Sequence, residues 1–200
     1  MIDAKALLDA LRERIGLGVI AVSGSGLDVV LTVEQASARG ALELLKAEGF
    51  NVLADMTCVD YLGYGADARP VPPSHPHRIP RWPSAPRPPQ RFKLVYRLLQ
   101  LDAADGLLGG RLTLDAWVRD LKGQRSVRDL WPNADWLERE VWDMFGVGFS
   151  DRPDIKRILM YEEFEGHPLR KDYPIGKRQP LIGREEAPAQ PAPTDPRPLG

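Results

Sequence analysis

The chain has 200 residues, 28 acidic against 27 basic, and a formal charge of −1. That length supports one domain with a core of its own and a short remainder, and the balanced, interspersed charges give no electrostatic reason to expect nucleic acid or an anionic membrane surface as ligand. No apolar run reaches the roughly 18 to 20 residues that cross a bilayer, and the opening MIDAKALLDALRERIG reads as an amphipathic helix with acids rather than a signal peptide, so the expectation is a chain that is neither exported nor membrane-spanning and meets a membrane only through partners.

In chain order, Ala4, Leu7, Leu8, Leu11 and Ile15 fall within about 100° of one helix face, and Gly16 stops the pattern. Strand-like runs follow at 19–23 and 27–33. Gly24-Ser25-Gly26 between them has the opening of a dinucleotide-binding fingerprint, but position 29 is Val and another strand-like run follows where such a fingerprint opens a helix. A Gly/Ser hairpin turn fits better, and no Gly-Lys-Ser/Thr phosphate loop occurs. A second helix is predicted over Gln35 to Glu48, with Ala38, Leu42 and Leu45 on its apolar side and Gly49 as its stop. Strands are predicted at 52–61, 91–101 and 111–118, and a last helix within 131–146. This order predicts an α/β fold of the α+β type over residues 1–150, with a mixed or antiparallel sheet and helices packed on one face.

Two stretches stand outside that layout. Residues 66–90 carry proline at 9 of 25 positions; proline removes backbone donors and favours extended polyproline II, so a long loop is expected there rather than a helix or an internal strand. His75 and His77, split by Pro76 and without nearby Cys or carboxylate ligands, do not make a metal site. Residues 184–200 read as a disordered proline-rich tail. The chain has one cysteine, Cys58, in an apolar run. An iron–sulfur cluster takes four ligands, usually thiolates, so this chain alone does not hold one, and Cys58 reads as a buried thiol in a reducing compartment.

The densest segment runs from Trp131 to Pro174, where Trp131, Trp136 and Trp142 lie among paired acids and bases. Aromatics and Arg at such density point to a surface read by another macromolecule. On a helix from Asn133 to Gly146, Trp136, Leu137, Val141, Trp142, Met144 and Phe145 sweep an apolar arc of roughly 240°. Asn133 after Pro132 is the expected N-cap and Gly146 the left-handed stop. Glu138 and Glu140 are embedded in the arc and each needs a partner, while Arg139 and Asp143 share the polar wedge as an i,i+4 pair. Two plainer readings stand beside the interface. One is a buried core helix whose glutamates are satisfied by Arg128, Arg157 or backbone. The other is an active-site helix with Glu138 and Glu140 as acid and base, against which their divergence by about 200° argues.

Beyond the helix, Pro168, Pro174 and Pro180 punctuate a run containing His167, Arg170, Lys171, Asp172, Lys177 and Arg178. Residues 151–183 are expected as an extended strap that lies over a neighbour, or else as a solvated linker. His167 reads as a positioning residue, since no Ser or Cys nucleophile stands at an interpretable spacing from it.

Three runs in this order, Trp136 to Val147 (WLEREVWDMFGV), Arg152 to Met160 (RPDIKRILM) and Glu165 to Pro174 (EGHPLRKDYP), resemble the C subunit of the proton-pumping NADH:quinone oxidoreductase, respiratory complex I. Asp55 to Tyr61 and Arg91 to Tyr96 extend the likeness over most of residues 50–180. The chain departs from the family pattern with Arg152 in place of His before Pro153-Asp154, with Ile155-Lys156 in place of Leu-Arg, and with its proline-rich insert.

The resemblance implies a non-redox structural subunit of the peripheral arm, on the cytoplasmic side of a bacterial cell membrane. It implies docking mainly to the D subunit, which helps form the quinone site, near the subunits that carry the terminal iron–sulfur clusters. No cofactor is expected on this chain; NADH, FMN, iron–sulfur clusters and quinone belong to the holoenzyme. The partner-binding residues expected are Trp136, Glu138, Arg139, Glu140, Trp142, Asp143, Phe145, Arg157, His167, Arg170, Lys171, Asp172 and Tyr173, with folding independent of Arg170 and Asp172. Two alternatives remain: the equivalent subunit of a membrane-bound hydrogenase or another relative without an NADH module, and a stand-alone soluble enzyme using His167, Asp172 and Glu140.

Overall fold

A computed structural model of the protein describes residues 18–25, 28–65, 88–102 and 104–174, with single positions at 9, 13, 176, 177 and 179. The helix expected near the N-terminus, apart from two positions, the bulk of the proline-rich insert and the 184–200 tail lie outside the described residues.

Five strands form one sheet in the order β1-β2-β5-β4-β3. Strands β1 (Val19–Ser25) and β2 (Asp28–Glu34) are antiparallel neighbours with Ser25 opposite Asp28, so Gly24 and Ser25 end the first strand of a hairpin and open no helix. β2 runs straight into α1 (Gln35–Ala47), which buries Ala38, Ala41, Leu42 and Leu45 at the 3, 4, 7 spacing of one helix face. No side chain of Glu34 caps α1. Gln35 instead ties the helix start to the residues after β5: its Oε1 accepts the N–H groups of Arg119 and Asp120, both at 2.8 Å, and its Nε2 donates to the Asp120 carbonyl at 2.6 Å.

From α1 the chain enters β3 (Val52–Asp60) at the far edge of the sheet, and a meander through β4 (Phe92–Leu101) and β5 (Leu108–Val118) returns it to the middle. There β5 pairs with β2 in parallel, while β3–β4 and β4–β5 are antiparallel. The sheet is therefore mixed. β5 begins three residues before the sequence pattern indicates, because the β4–β5 connection is tight. Asp102 Oδ1 accepts the Ala104 N–H, Asp105 Oδ1 accepts the Leu107 N–H, and Gly106 adopts φ +69°. These are turn devices for which Asp and Gly are suited, and they carry the ladder through Gln100–Gly110.

Alternation along the strands sends Val29, Leu31, Val33, Leu94, Tyr96, Leu98, Leu112, Leu114 and Ala116 to one face, none more than 2% exposed. Helices α1 and α2 (Ala134–Phe145) share that single core. On the opposite face Lys93 donates to Asp115 at 2.6 Å, with the Tyr61 and Trp117 rings each 5.5 Å from its ammonium.

The ends of β3 and β4 already meet: Asp60 pairs with Phe92, and the Tyr61 N–H donates to the Arg91 carbonyl at 2.7 Å. The insert therefore leaves and re-enters the sheet at one place, and closure cost depends only weakly on its length. We expect replacement of residues 69–89 by a short Gly-containing turn to change the unfolding free energy by less than about 1 kcal/mol in urea titration. A loss above about 2 kcal/mol would make the insert part of the core.

Candidate partner-binding surface

Helix α2 starts after Pro132 with Asn133 already in helical geometry. Asn133 does not cap with its side chain as expected. Its Nδ2 donates to the Leu53 carbonyl at 2.7 Å, which spends it on docking α2 against β3. The other end behaves as predicted: Gly146 takes the left-handed conformation, φ +70°, and its N–H reaches the Trp142 carbonyl at 2.8 Å.

The polar residues of α2 sort differently from the helical wheel. Glu138 is 0% exposed, so it is a core residue and not a contact residue. The donors that satisfy it are neither Arg128 nor Arg157. Val127 N–H reaches Oε1 at 2.7 Å, Ser126 Oγ reaches Oε2 at 2.8 Å, and Arg152 Nη1 reaches Oε2 at 2.9 Å. Burial pushes the Glu138 carboxyl up, against the pull of these donors. Arg152 also spans to Asp135 Oδ1 at 2.6 Å. Arg152 thus supplies the countercharge of the buried glutamate. Glu140, two positions on, is exposed.

Asp143 is also 0% exposed, and the expected Arg139–Asp143 pair does not form. Asp143 Oδ1 takes Arg157 Nη1 at 2.5 Å, and Oδ2 takes the N–H groups of Ile158, Leu159 and Met160 at 3.0, 2.9 and 2.9 Å. Burial alone would raise this carboxyl; the three N–H groups and Arg157 outweigh it and hold it below the ordinary carboxylate range. Arg139 turns to the backbone, donating to the carbonyls of Lys156 and Arg157 at 3.1 and 2.7 Å while lying 5.2 Å from the Trp136 ring centre. Arg157 also donates to the carbonyls of Phe164 and Gly166 and lies between the Trp142 and Phe164 rings, 5.4 and 5.6 Å from their centres.

Residues 151–174 are therefore a series of turns folded back on their own domain, not an extended strap. His167 Nδ1 lies 2.9 Å from the Asp143 carbonyl. A carbonyl only accepts, so Nδ1 carries the proton, and burial lowers the imidazole below its usual value, which leaves the ring neutral near pH 7 with Nε2 bare. Arg170 Nε donates to the Phe145 carbonyl at 2.5 Å. Asp172 is bound in two places by Arg91, at 2.7 and 2.9 Å, and Arg91 grips the buried Asp60 at 2.8 and 3.0 Å. The Lys171 N–H reaches Asp60 Oδ2 at 2.9 Å, and Tyr173 stacks on Phe164 with centres 5.9 Å apart. Against the expectation that folding ignores Arg170 and Asp172, both bond this segment to the domain. His167 and Asp172 do not meet as a base and its orienting acid, since each is committed elsewhere.

The model of the family described as respiratory-chain NADH dehydrogenase, 30 Kd subunit, matches residues 31–179, from inside β2 to beyond the folded-back segment. The chain belongs to this family. The C subunit of the NADH-quinone oxidoreductase of Trichlorobacter lovleyi is 34% identical over 188 residues, 92% of this chain and 99% of its own length. NADH-quinone oxidoreductase subunit 5 of Thermus thermophilus is 40% identical over 148 residues, 72% of this chain but 62% of its own, so the chain spans under two thirds of that relative. Among solved structures, the trypsin-resistant fragment (1-134) of Nqo5 superposes with a TM-score of 0.53 at 30% identity, covering 75% of this chain and 97% of that one. A chain of an archaeal membrane-bound sulfane sulfur reductase shares the fold, with a TM-score of 0.59 at 21% identity over 87% of each.

In this member of the family, the large apolar side chains left in solvent along the outside of α2 and the folded-back segment are Trp136, Leu159 and Leu169, at 61%, 58% and 53% exposure. Trp136 stands among the residues expected from the sequence. Leu159 and Leu169 were missed, because they lie in irregular backbone where no period marks a face; the available signal was their position inside the runs that carry the family resemblance. Phe145, expected at a contact, is 8% exposed and packs in the core.

Asp143 supplies a test of this arrangement. Because its folded-state carboxyl lies below the ordinary range, its contribution is complete above the unfolded value near 4 and is lost as pH falls through the folded value. We expect Asp143→Asn to cost on the order of 3 kcal/mol at pH 7, to expose the 158–160 amides to hydrogen exchange, and to differ progressively less from wild type as pH drops below about 4.

Gly146 supplies a second. A Cβ there would meet φ +70° strain and collide with the His167 ring and the Arg170 guanidinium. Gly146→Ala should lower stability by about 1–3 kcal/mol, measured by thermal melting, with Gly40→Ala as a control because nothing lies within 4 Å of its added methyl.

Proposed function

We propose that this chain is a non-redox structural subunit of the peripheral arm of a proton-translocating NADH:quinone oxidoreductase, docking chiefly to the D subunit and bracing the route by which electrons reach quinone. The observation that carries this reading is that Trp136, Leu159 and Leu169 stand more than half exposed on α2 and on the folded-back segment that Arg139 and Asp143 bond to it. Rigid aromatic and aliphatic anchors on a cross-linked scaffold lose little entropy when a partner covers them. The names of the relatives support the same assembly.

On this reading the chain binds no cofactor of its own; NADH, FMN, iron–sulfur clusters and quinone are held by other subunits. Cys58 is buried and its thiol is pushed up to about 12 by that burial, so it is a poor thiolate ligand. The protein then sits peripherally at the cytoplasmic side of the membrane, held there by its partners, and no helix among the described residues is long and apolar enough to cross a bilayer.

Trp136→Ala combined with Leu169→Ala removes two anchors that are more than half exposed in the isolated chain. We expect melting to stay within about 2 °C of wild type while recovery of the chain with the complex, purified in mild detergent, falls at least tenfold. NADH oxidation by an artificial acceptor taken at the flavin should persist, and quinone reduction should fall in proportion to intact complex. Normal assembly of the double variant would remove this surface from the interface.

A further inference from the structure

Beside the turn at His167 lies an open cavity of about 290 Å³, lined among others by Glu165, His167, Arg170, Asp172, Tyr173 and Lys177. Its charges are unequally satisfied. Asp172 has both oxygens on Arg91, and Glu165 pairs with Lys177 at 3.2 Å. His167 offers a bare Nε2 and no donor. Arg170 uses Nε on the Phe145 carbonyl and rests 5.4 Å from the Phe92 ring centre, yet Nη1 and Nη2 have no acceptor among the described residues. Gly146 leaves room for this end of the guanidinium, since a side chain there would occupy the space of Arg170 Nη2 and the His167 ring.

We propose that the Nη fork of Arg170 receives the carboxylate of one Asp or Glu side chain from the neighbouring subunit, an assignment that rests on the docking reading above and specifies it. A half-buried guanidinium with its outer edge unpaired fits a planar carboxylate through two parallel hydrogen bonds. Burial first, and then the nearby Arg91, lower the pKa of Arg170; Arg91 already holds two carboxylates, so an incoming one completes the site at the cation that has none bonded to it. The cavity is at or below the lower end of small-molecule sites, roughly 300 Å³, and the neighbouring Leu169 is 53% exposed. A carboxylate presented on a protein surface therefore suits it better than a free organic anion.

The test uses the full chain in the assembled complex. Arg170→Lys places an amine at this position, and a carbodiimide then joins it directly to any carboxylate in contact, with peptide sequencing to separate position 170 from Lys171. We expect an isopeptide bond from position 170 to an Asp or Glu of another subunit. We also expect Arg170→Gln to lower recovery with the complex by about 30-fold or more, with Arg170→Lys between the two. Linkage only to Asp172, Asp60 or Glu165 of the same chain overturns the proposal, as does wild-type assembly of Arg170→Gln. Saturable stabilisation of the isolated chain by millimolar inorganic phosphate, abolished in Arg170→Gln, would reassign the cavity to a free anion and overturn it too. If Arg170→Gln fails to fold, the cross-link decides. A wild-type chain that co-purifies with the complex but fails these tests sinks this assignment alone; one that co-purifies with nothing sinks the docking reading as well.

Discussion

Helix α2 buries two carboxylates, Glu138 and Asp143, with no solvent access for either side chain. Leaving a buried carboxylate without donors costs several kcal/mol, so the rest of the chain has to bring donors to the helix from both sides. For Glu138 they come from the 126–127 turn and from Arg152; for Asp143 they come from Arg157 and three successive backbone N–H groups. The exchange runs both ways. The segment after α2 has no ladder of its own, and Asp143, Arg139 and Arg157 satisfy its N–H and carbonyl groups in place of one. The irregular segment over residues 147–174 is thereby held by side-chain bonds where it has no ladder.

The clamp formed by Arg91 extends this logic from the helix to the sheet. Arg91 stands just before β4, Asp60 ends β3, and Asp172 lies near the end of the described chain, 81 residues from Arg91. Arg91 in turn lowers the Asp172 carboxyl below its ordinary range. Two carboxylates on one guanidinium fix the exit of the folded-back segment against the strand ends, and Lys171 N–H adds a backbone tie to the same Asp60. A surface held by such bonds is pre-organised, which favours association by sparing the entropy of ordering it on contact.

Arg152 joins two carboxylates of the same helix. Its guanidinium links Glu138 to Asp135 across one turn of α2. An imidazole lacks the reach and the fork to bridge both carboxylates, whereas Arg stays charged and spans them. Arg152 Nε keeps no acceptor in this arrangement.

Among the described residues, the sequence by itself determined the elements and their order. The Ala38–Leu42–Leu45 stripe, the glycine stop at position 146, the hairpin at Gly24-Ser25 and the strand alternation are local patterns with periods of 3.6 or 2, and each appears where those patterns put it. It also carried the family resemblance, because runs of residues survive without knowledge of their contacts. The tertiary structure decided which polar residues of α2 face inward. Glu138 and Glu140 look alike on a helical wheel, yet one is buried and the other exposed, because the donors for Glu138 come from separate segments on either side of the helix. Arg139 and Asp143 have the spacing of a helical pair and are drawn apart by better partners, since an isolated i,i+4 pair contributes only about 0.2–0.5 kcal/mol and a buried carboxylate needs several donors at once. The same holds for Arg170 and Asp172: their charges were legible in the sequence, and the fold alone decided that Asp172 is spent inside the chain while the outer edge of Arg170 is not.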